Sequence, residues 1–323
     1  MMKDQLEDDM KKNKKIKGNA LQTANKNIQL RSIAIGIGVV LIITGVIGIL
    51  HNMRTSEDWS VSNEGKLSYD MPEKIDYSIT NSNTTENSNI LKWITFRSTD
   101  GIIQGLMRFP PSKEKVPGIV VLPGAGVTKE DQQGLASDLA DMGYATITID
   151  QRNRGAINPE ADLELFEKGK EPVEYSMIYD ALMAAKVLRD QNEVDPENIA
   201  MLGISNGGRF AIIATALDSE IKGVVGISTS GYQTGSIDKS MVDEDVYRFY
   251  RSIDPETYIA SISPRKVIMF HATNDSTIPY DMAEKTFELA SEPKSMYTVN
   301  GTTHGYSSFT KEELKKELAN ILN

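Results

Sequence analysis

Two periodicities organise the chain beyond residue 90. Apolar, β-branched runs recur at "GIVVLPG" (118–124), "YATITID" (144–150), "NIAMLGI" (198–204), "KGVVGIS" (222–228), "KVIMFHA" (266–272) and "KSMYTVN" (294–300). Runs with no polar alternation suit strands covered on both faces, as in a parallel sheet. Between them lie segments with apolar positions three and four apart: "KEDQQGLASDLADMG", closed by Gly143, then "VEYSMIYDALMAAKVLRD", "GGRFAIIATAL", "YDMAEKTFELA" and "KEELKKELANIL". These predict helices. In the second, Met177, Ala181, Ala184, Ala185 and Leu188 share one stripe, a packing face. "LKWITFRS" and "IIQGLMRF" flank Asp100-Gly101, a favoured turn, so an antiparallel hairpin should open the domain. Strands alternating with helices predict a doubly wound, mostly parallel α/β sheet with that hairpin at one edge. The segment 231–258 breaks the rhythm. It reads as a small cap over the site, with Tyr232, Tyr247, Phe249 and Tyr250 available as walls.

Ahead of residue 90 the pattern changes. Ser32 to Leu50 carries no charge over 19 residues, which at 1.5 Å rise per residue spans about 28 Å, close to the hydrocarbon thickness of a bilayer. This predicts a transmembrane helix over 32–51. No small-residue cleavage site follows it, so an uncleaved signal-anchor is expected. Lys11, Lys12, Lys14, Lys15, Lys17, Lys26 and Arg31 precede the span, while only Arg54 and Lys66 follow closely. The positive-inside rule then keeps the basic tail, 1–31, cytoplasmic and puts the domain that follows outside. Residues 52–89, rich in Ser, Asn and acidic side chains, read as a polar tether. The domain itself is expected over 90–323.

Composition narrows the chemistry. The 323 residues are 40% hydrophobic and 25% charged, with a formal charge of −10. That balance suits a globular protein and lacks the basic face a nucleic-acid binder needs. There is no cysteine, which removes disulfides, thiolate metal sites and cysteine nucleophiles together. Only three histidines are present: His51, His271 and His304. His51 borders the expected membrane span, and His271 ends a strand and reads as structural.

In open α/β sheets, ligand-binding groups gather beyond the carboxyl ends of the strands. Ser205 stands there in Gly203-Ile204-Ser205-Asn206-Gly207, the spacing of a strand–turn–helix nucleophile elbow. Asp275 follows "VIMFHATND" and His304 follows "YTVNGTTHG". "LPGAG" (122–126) ends an earlier strand, where bare backbone N–H groups could face a substrate. A serine hydroxyl needs an imidazole to take its proton, and the imidazole needs a carboxylate to fix its tautomer. The order Ser205, Asp275, His304 is that of α/β hydrolases. Asp150 and Asp254 are rivals for the acid, disfavoured by where their loops fall. Arg152 and Arg154 stand at the expected pocket rim, as salt-bridge partners or as contacts for an anionic substrate group.

Residues 90–323 resemble the α/β-hydrolase superfamily, near its dienelactone-hydrolase-like and prolyl-oligopeptidase-like branches. The resemblance rests on "STDGIIQGLMRFPPSKEKVPGIVVLPGAG", "LADMGYATITIDQRNRG", "DPENIAMLGISNGG" and "HATNDSTIP". It implies Ser205 as nucleophile, Asp275 as acid and His304 as base, with the backbone N–H groups of Ala125 and Asn206 as oxyanion hole. It implies cleavage of a carboxylic ester or related acyl bond in a small-molecule acyl ester, without metal or organic cofactor. Two departures stand out: Pro123-Gly124 replaces a frequent His-Gly, and dienelactone hydrolases themselves use a cysteine. A serine peptidase of prolyl-oligopeptidase type and a catalytically silent, membrane-bound binding module are the alternative readings.

Overall fold

A strand that is apolar at every position has no solvent side, and β6 (Val116–Leu122) shows the consequence. Its Ile119 and Val121 join one buried cluster while Val120 and Leu122 join the other. The same alternation divides β8 (Val194–Ile204), with Ala200 and Leu202 on one side and Ile199 and Met201 on the other. The structure is a computed structural model and describes residues 59–84, 88–99 and 101–322.

The remaining strands of this sheet are β3 (Tyr77–Thr84), β4 (Ile90–Arg97), β5 (Ile102–Phe109), β7 (Ala145–Ile149), β9 (Ile221–Ile227), β10 (Lys266–Ala272) and β11 (Lys294–Val299). Their order is β11-β10-β9-β8-β6-β7-β5-β4-β3. From β11 to β7 neighbouring strands run parallel; β5, β4 and β3 continue antiparallel. The expected hairpin is present, with Arg97 opposite Ile102. Helices α1 (Gln133–Asp141) and α7 (Lys311–Leu322) cover one face through Leu135, Leu139, Leu314 and Leu318. Helices α3 (Val173–Arg189) and α4 (Asn206–Leu217) cover the other. α6 (Tyr280–Glu288) follows β10.

The sequence pattern did not single out α2 (Pro159–Glu167), although its start is well marked. Asn158 caps it by accepting from the Ala161 N–H at 3.2 Å, and Pro159 opens the first turn.

Two expectations are corrected. Residues 59–84 are not a tether, because β3 pairs along the edge with β4 and a separate ribbon of β1 (Trp59–Val61) and β2 (Leu67–Tyr69) packs on the helical face. The reason lies in α3, which is buried all round rather than along one stripe: Tyr175, Ile178, Leu182 and Met183 are covered as well as Ala181 and Leu188. A helix apolar on every side needs cover on every side, and this ribbon supplies it. Trp59 stands edge-on to Tyr175 at 5.1 Å, and the Tyr69 hydroxyl donates to the Tyr175 carbonyl at 2.7 Å.

The second correction concerns 231–258. Its helix α5 (Glu244–Ser252) packs on α2 and β1, and Phe249 is fully buried against Phe166 and Tyr175. Phe249 is therefore part of the core and not a pocket wall. Asp254 knots the segment together by accepting from the backbone N–H groups of Tyr232, Thr234 and Glu256. The basic tail, the apolar span at 32–51 and the first residues of the expected tether lie outside the described residues. Among the described residues no helix is long and apolar enough to cross a membrane.

Candidate active site

The turn at Ser205 is made by glycines that let α4 start hard against the sheet. A Cβ on Gly203 would lie 2.2 Å from the Gly207 carbonyl oxygen, and one on Gly207 would lie 2.3 Å from that of Leu122. No larger residue fits between helix and strand at either point. Ser205 itself takes φ 51° and ψ −119°, a backbone state that costs a non-glycine residue about 1–3 kcal/mol. Two bonds hold it there: its N–H donates to the Ile227 carbonyl at 2.8 Å, and its own carbonyl accepts from Gly208 at 3.0 Å. The hydroxyl is thus presented at the N-terminus of a 12-residue helix.

Asp275 and His304 converge on that hydroxyl from two other strand ends. Ser205 Oγ lies 2.9 Å from His304 Nε2, and His304 Nδ1 lies 2.8 Å from Asp275 Oδ2. The other Asp275 oxygen accepts from the Thr277 and Ile278 N–H groups at 2.8 and 3.1 Å. Burial pushes this carboxyl's pKa up, but the bonds from His304, Ile278 and Thr277 outweigh it and hold the pKa below the ordinary carboxylate value. An ionised Asp275 accepts from Nδ1–H, which leaves Nε2 free to take the serine proton.

His271 is structural, as its strand-end position suggests. Its Nε2 donates to the Ile278 carbonyl at 2.8 Å and sits 3.6 Å from Asp275 Oδ2. Burial lowers its pKa, which favours the neutral ring. It braces the loop that carries Asp275. The rivals for that role are occupied elsewhere. Asp150 accepts from Lys129 through both oxygens, and Asp254 ties the 231–258 segment. Arg152 pairs with the buried Asp180 at 2.7 Å. Arg154 is exposed, and its carbonyl accepts from the Gly126 N–H at 2.6 Å.

Ala125 and Asn206 flank the serine on two separate elements. The loop 122–126 passes so close that a Cβ on Gly124 would sit 3.3 Å from Ser205 Cβ. Neither Ala125 N–H nor Asn206 N–H has a hydrogen-bond partner among the described residues. Supports of the His304 loop were not legible beforehand. Gly305 N–H donates to Ser228 Oγ at 2.9 Å, and Asp138 on α1 accepts from Tyr306 and Lys311. Ser228 has φ 50°, and no sequence signal marks it.

A model of the dienelactone hydrolase family matches residues 103–319. The chain belongs to that family. It is therefore a hydrolase. Among individual proteins it is similar to the uncharacterized protein YfhR of Escherichia coli K12, 31% identical over 186 residues, covering 51% of this chain and 64% of that one. It is also similar to the putative hydrolase YtaP of Bacillus subtilis 168, 26% identical over 180 residues, covering 53% and 59% respectively. The matches span less than two thirds of either protein. Among solved structures, an acetyl xylan esterase from Paenibacillus sp. R4 superposes with a TM-score of 0.64 at 19% identity, covering 78% of this chain and 90% of that one. A glucuronoyl esterase from Solibacter usitatus superposes at 0.55 and 15%, covering 82% and 89%. At such identities the likeness is one of fold.

Proposed function

We propose that this dienelactone-hydrolase-family protein is a serine esterase that cleaves a carboxylic ester through an acyl-serine intermediate, held at a membrane by residues 32–51 with its catalytic domain outside the cytoplasm. The observation that supports the chemistry best is the unbroken run of contacts from Asp275 through His304 to Ser205, assembled from three distant loops at 2.8 and 2.9 Å.

Ser205 Oγ attacks the ester carbonyl as His304 Nε2 takes its proton. Asp275 stabilises the imidazolium without itself being protonated. The tetrahedral oxyanion is met by the N–H groups of Ala125 and Asn206, each contributing on the order of 3 kcal/mol in a dry site. Collapse expels the alcohol, which leaves with the proton from His304. Water then attacks the acyl-serine, again giving its proton to His304, and the acid is released. The scheme needs no metal or cofactor. Structural neighbours described as acetyl xylan and glucuronoyl esterases support an ester over an amide as the bond cleaved.

The test is labelling by a fluorophosphonate together with turnover of a panel of acyl esters and aminoacyl amides. Labelling of wild type that vanishes in Ser205→Ala, with ester turnover alone, is expected. Preferred amide turnover would make the protein a peptidase; folded wild type that is never labelled would make it a binding module. The membrane placement draws on the charge-free run and the cations before it. Protease added to intact cells should digest the domain, and full protection would refute the outward orientation.

A further inference from the structure

The two candidate oxyanion donors belong to different elements, and the loop at 153–155 bridges them with consecutive carbonyls. Arg154 O accepts from the Gly126 N–H at 2.6 Å, next to Ala125. Gly155 O accepts from the Asn206 side-chain amide Nδ2 at 2.7 Å. A carbonyl accepts only, so the amide must present its nitrogen to it. Its other atom, Oδ1, is buried without a partner. The Asn206 side chain is therefore oriented by this one bond.

The bridging loop is conformationally costly. Asn153, Arg154 and Gly155 take φ of 49°, 53° and 71°, three left-handed residues in succession, two of them not glycine. Gly155 also lies against Ala125: a Cβ there would stand 3.1 Å from the Ala125 Cα and 2.3 Å from Gln151 Oε1. A run of left-handed residues persists where the surroundings over-determine it, and here its last two carbonyls are tied to Gly126, in the loop that passes Ser205, and to Asn206, next to it.

We propose that this loop is a clamp that sets the spacing of the oxyanion donors, with the Asn206 side chain as its positioning residue. Asn206 then acts twice. Its main chain faces the oxyanion, and its side chain, through Gly155 and Arg154, holds the Ala125 loop in register. The inference rests on the Ser205 esterase reading and assigns the side chain of Asn206 a role separate from that of its N–H.

The test compares Asn206→Asp, Asn206→Ala and Gly155→Ala with wild type and Ser205→Ala. Asn206→Asp keeps the shape and turns the donor into an acceptor. Turnover of p-nitrophenyl acetate is measured per active site titrated with fluorophosphonate, beside the Ki of a trifluoromethyl ketone that forms a tetrahedral adduct. A clamp predicts that kcat per titrated site falls roughly 10- to 100-fold, as expected when donors shift by a fraction of an ångström. KM stays within about 3-fold, and the ketone Ki weakens in parallel with kcat/KM. A merely structural role would lower the titratable fraction and leave kcat per site intact. The asparagine variants put no new side chain at a left-handed position and decide the matter if Gly155→Ala does not fold. Both of them within about 2-fold of wild type in kcat per site, or a ketone Ki that fails to follow kcat/KM, overturns the clamp while Ser205→Ala stays dead. Turnover surviving in Ser205→Ala overturns the esterase reading beneath it.

Discussion

A carboxylate can orient an imidazole only while it stays ionised, and three hydrogen bonds keep Asp275 so despite its burial. Replacing it by Asn preserves the contacts from Thr277 and Ile278 but lets the amide donate toward Nδ1, which selects the tautomer whose Nε2 already carries a proton. Asp275→Asn should therefore lower kcat by about 10³–10⁴-fold, with the fold intact by circular dichroism. Retention of a tenth of the activity would remove Asp275 from the mechanism. At this scale the candidate site was legible because few residues could compete: no cysteine, three histidines, and a serine with the Gly-x-Ser-x-Gly spacing at a strand end. What stayed hidden were the supports. Ser228 under the His304 loop and the Asn206 amide on Gly155 are contacts between segments remote in sequence, and neither residue type nor spacing marks them.

At the scale of elements, strands and helices with two covered faces wrote their burial into the chain as uninterrupted apolar runs. Segment 59–84 did not, because it lies at an edge and over one face, where polar residues are tolerated on the open side. Its ribbon nevertheless buries Val61 and Leu67 and lays Trp59 and Tyr69 across α3. Losing the two aliphatic side chains alone removes about 3–6 kcal/mol of burial. A protein beginning at Ile90 should thus be insoluble or melt roughly 6–24 °C below one beginning at Asp58, the drop that such a loss produces in a domain of this size. Equal melting temperatures would show that the ribbon is dispensable. The signal that could have found it is α3 itself, whose tyrosines and methionines are too apolar for an exposed outer face.

Across the whole molecule, stability should depend on pH through one group that the proposed chemistry does not use. Glu174, near the start of α3, is 1% exposed and neither carboxyl oxygen has a hydrogen-bond partner among the described residues. Burial pushes its pKa up to about 8, with Asp162 adding to the rise and Arg209 opposing it. The folded form therefore holds a proton that the unfolded chain releases above the ordinary value of 4.5. Folded protein binding more protons means stability falls as pH rises, starting near pH 4.5 and complete once pH passes about 8. The loss across that interval is on the order of 3 kcal/mol, allowing for relaxation around the charge. Gln in its place has the same shape and the same unmet hydrogen bonds, but it does not titrate. Melting curves of wild type and Glu174→Gln from pH 5 to pH 9 should separate, the wild type losing roughly 5–10 °C relative to the variant. A gap that stays constant to within about a degree would mean that Glu174 is already ionised in the folded protein at pH 5, its charge met by Arg209.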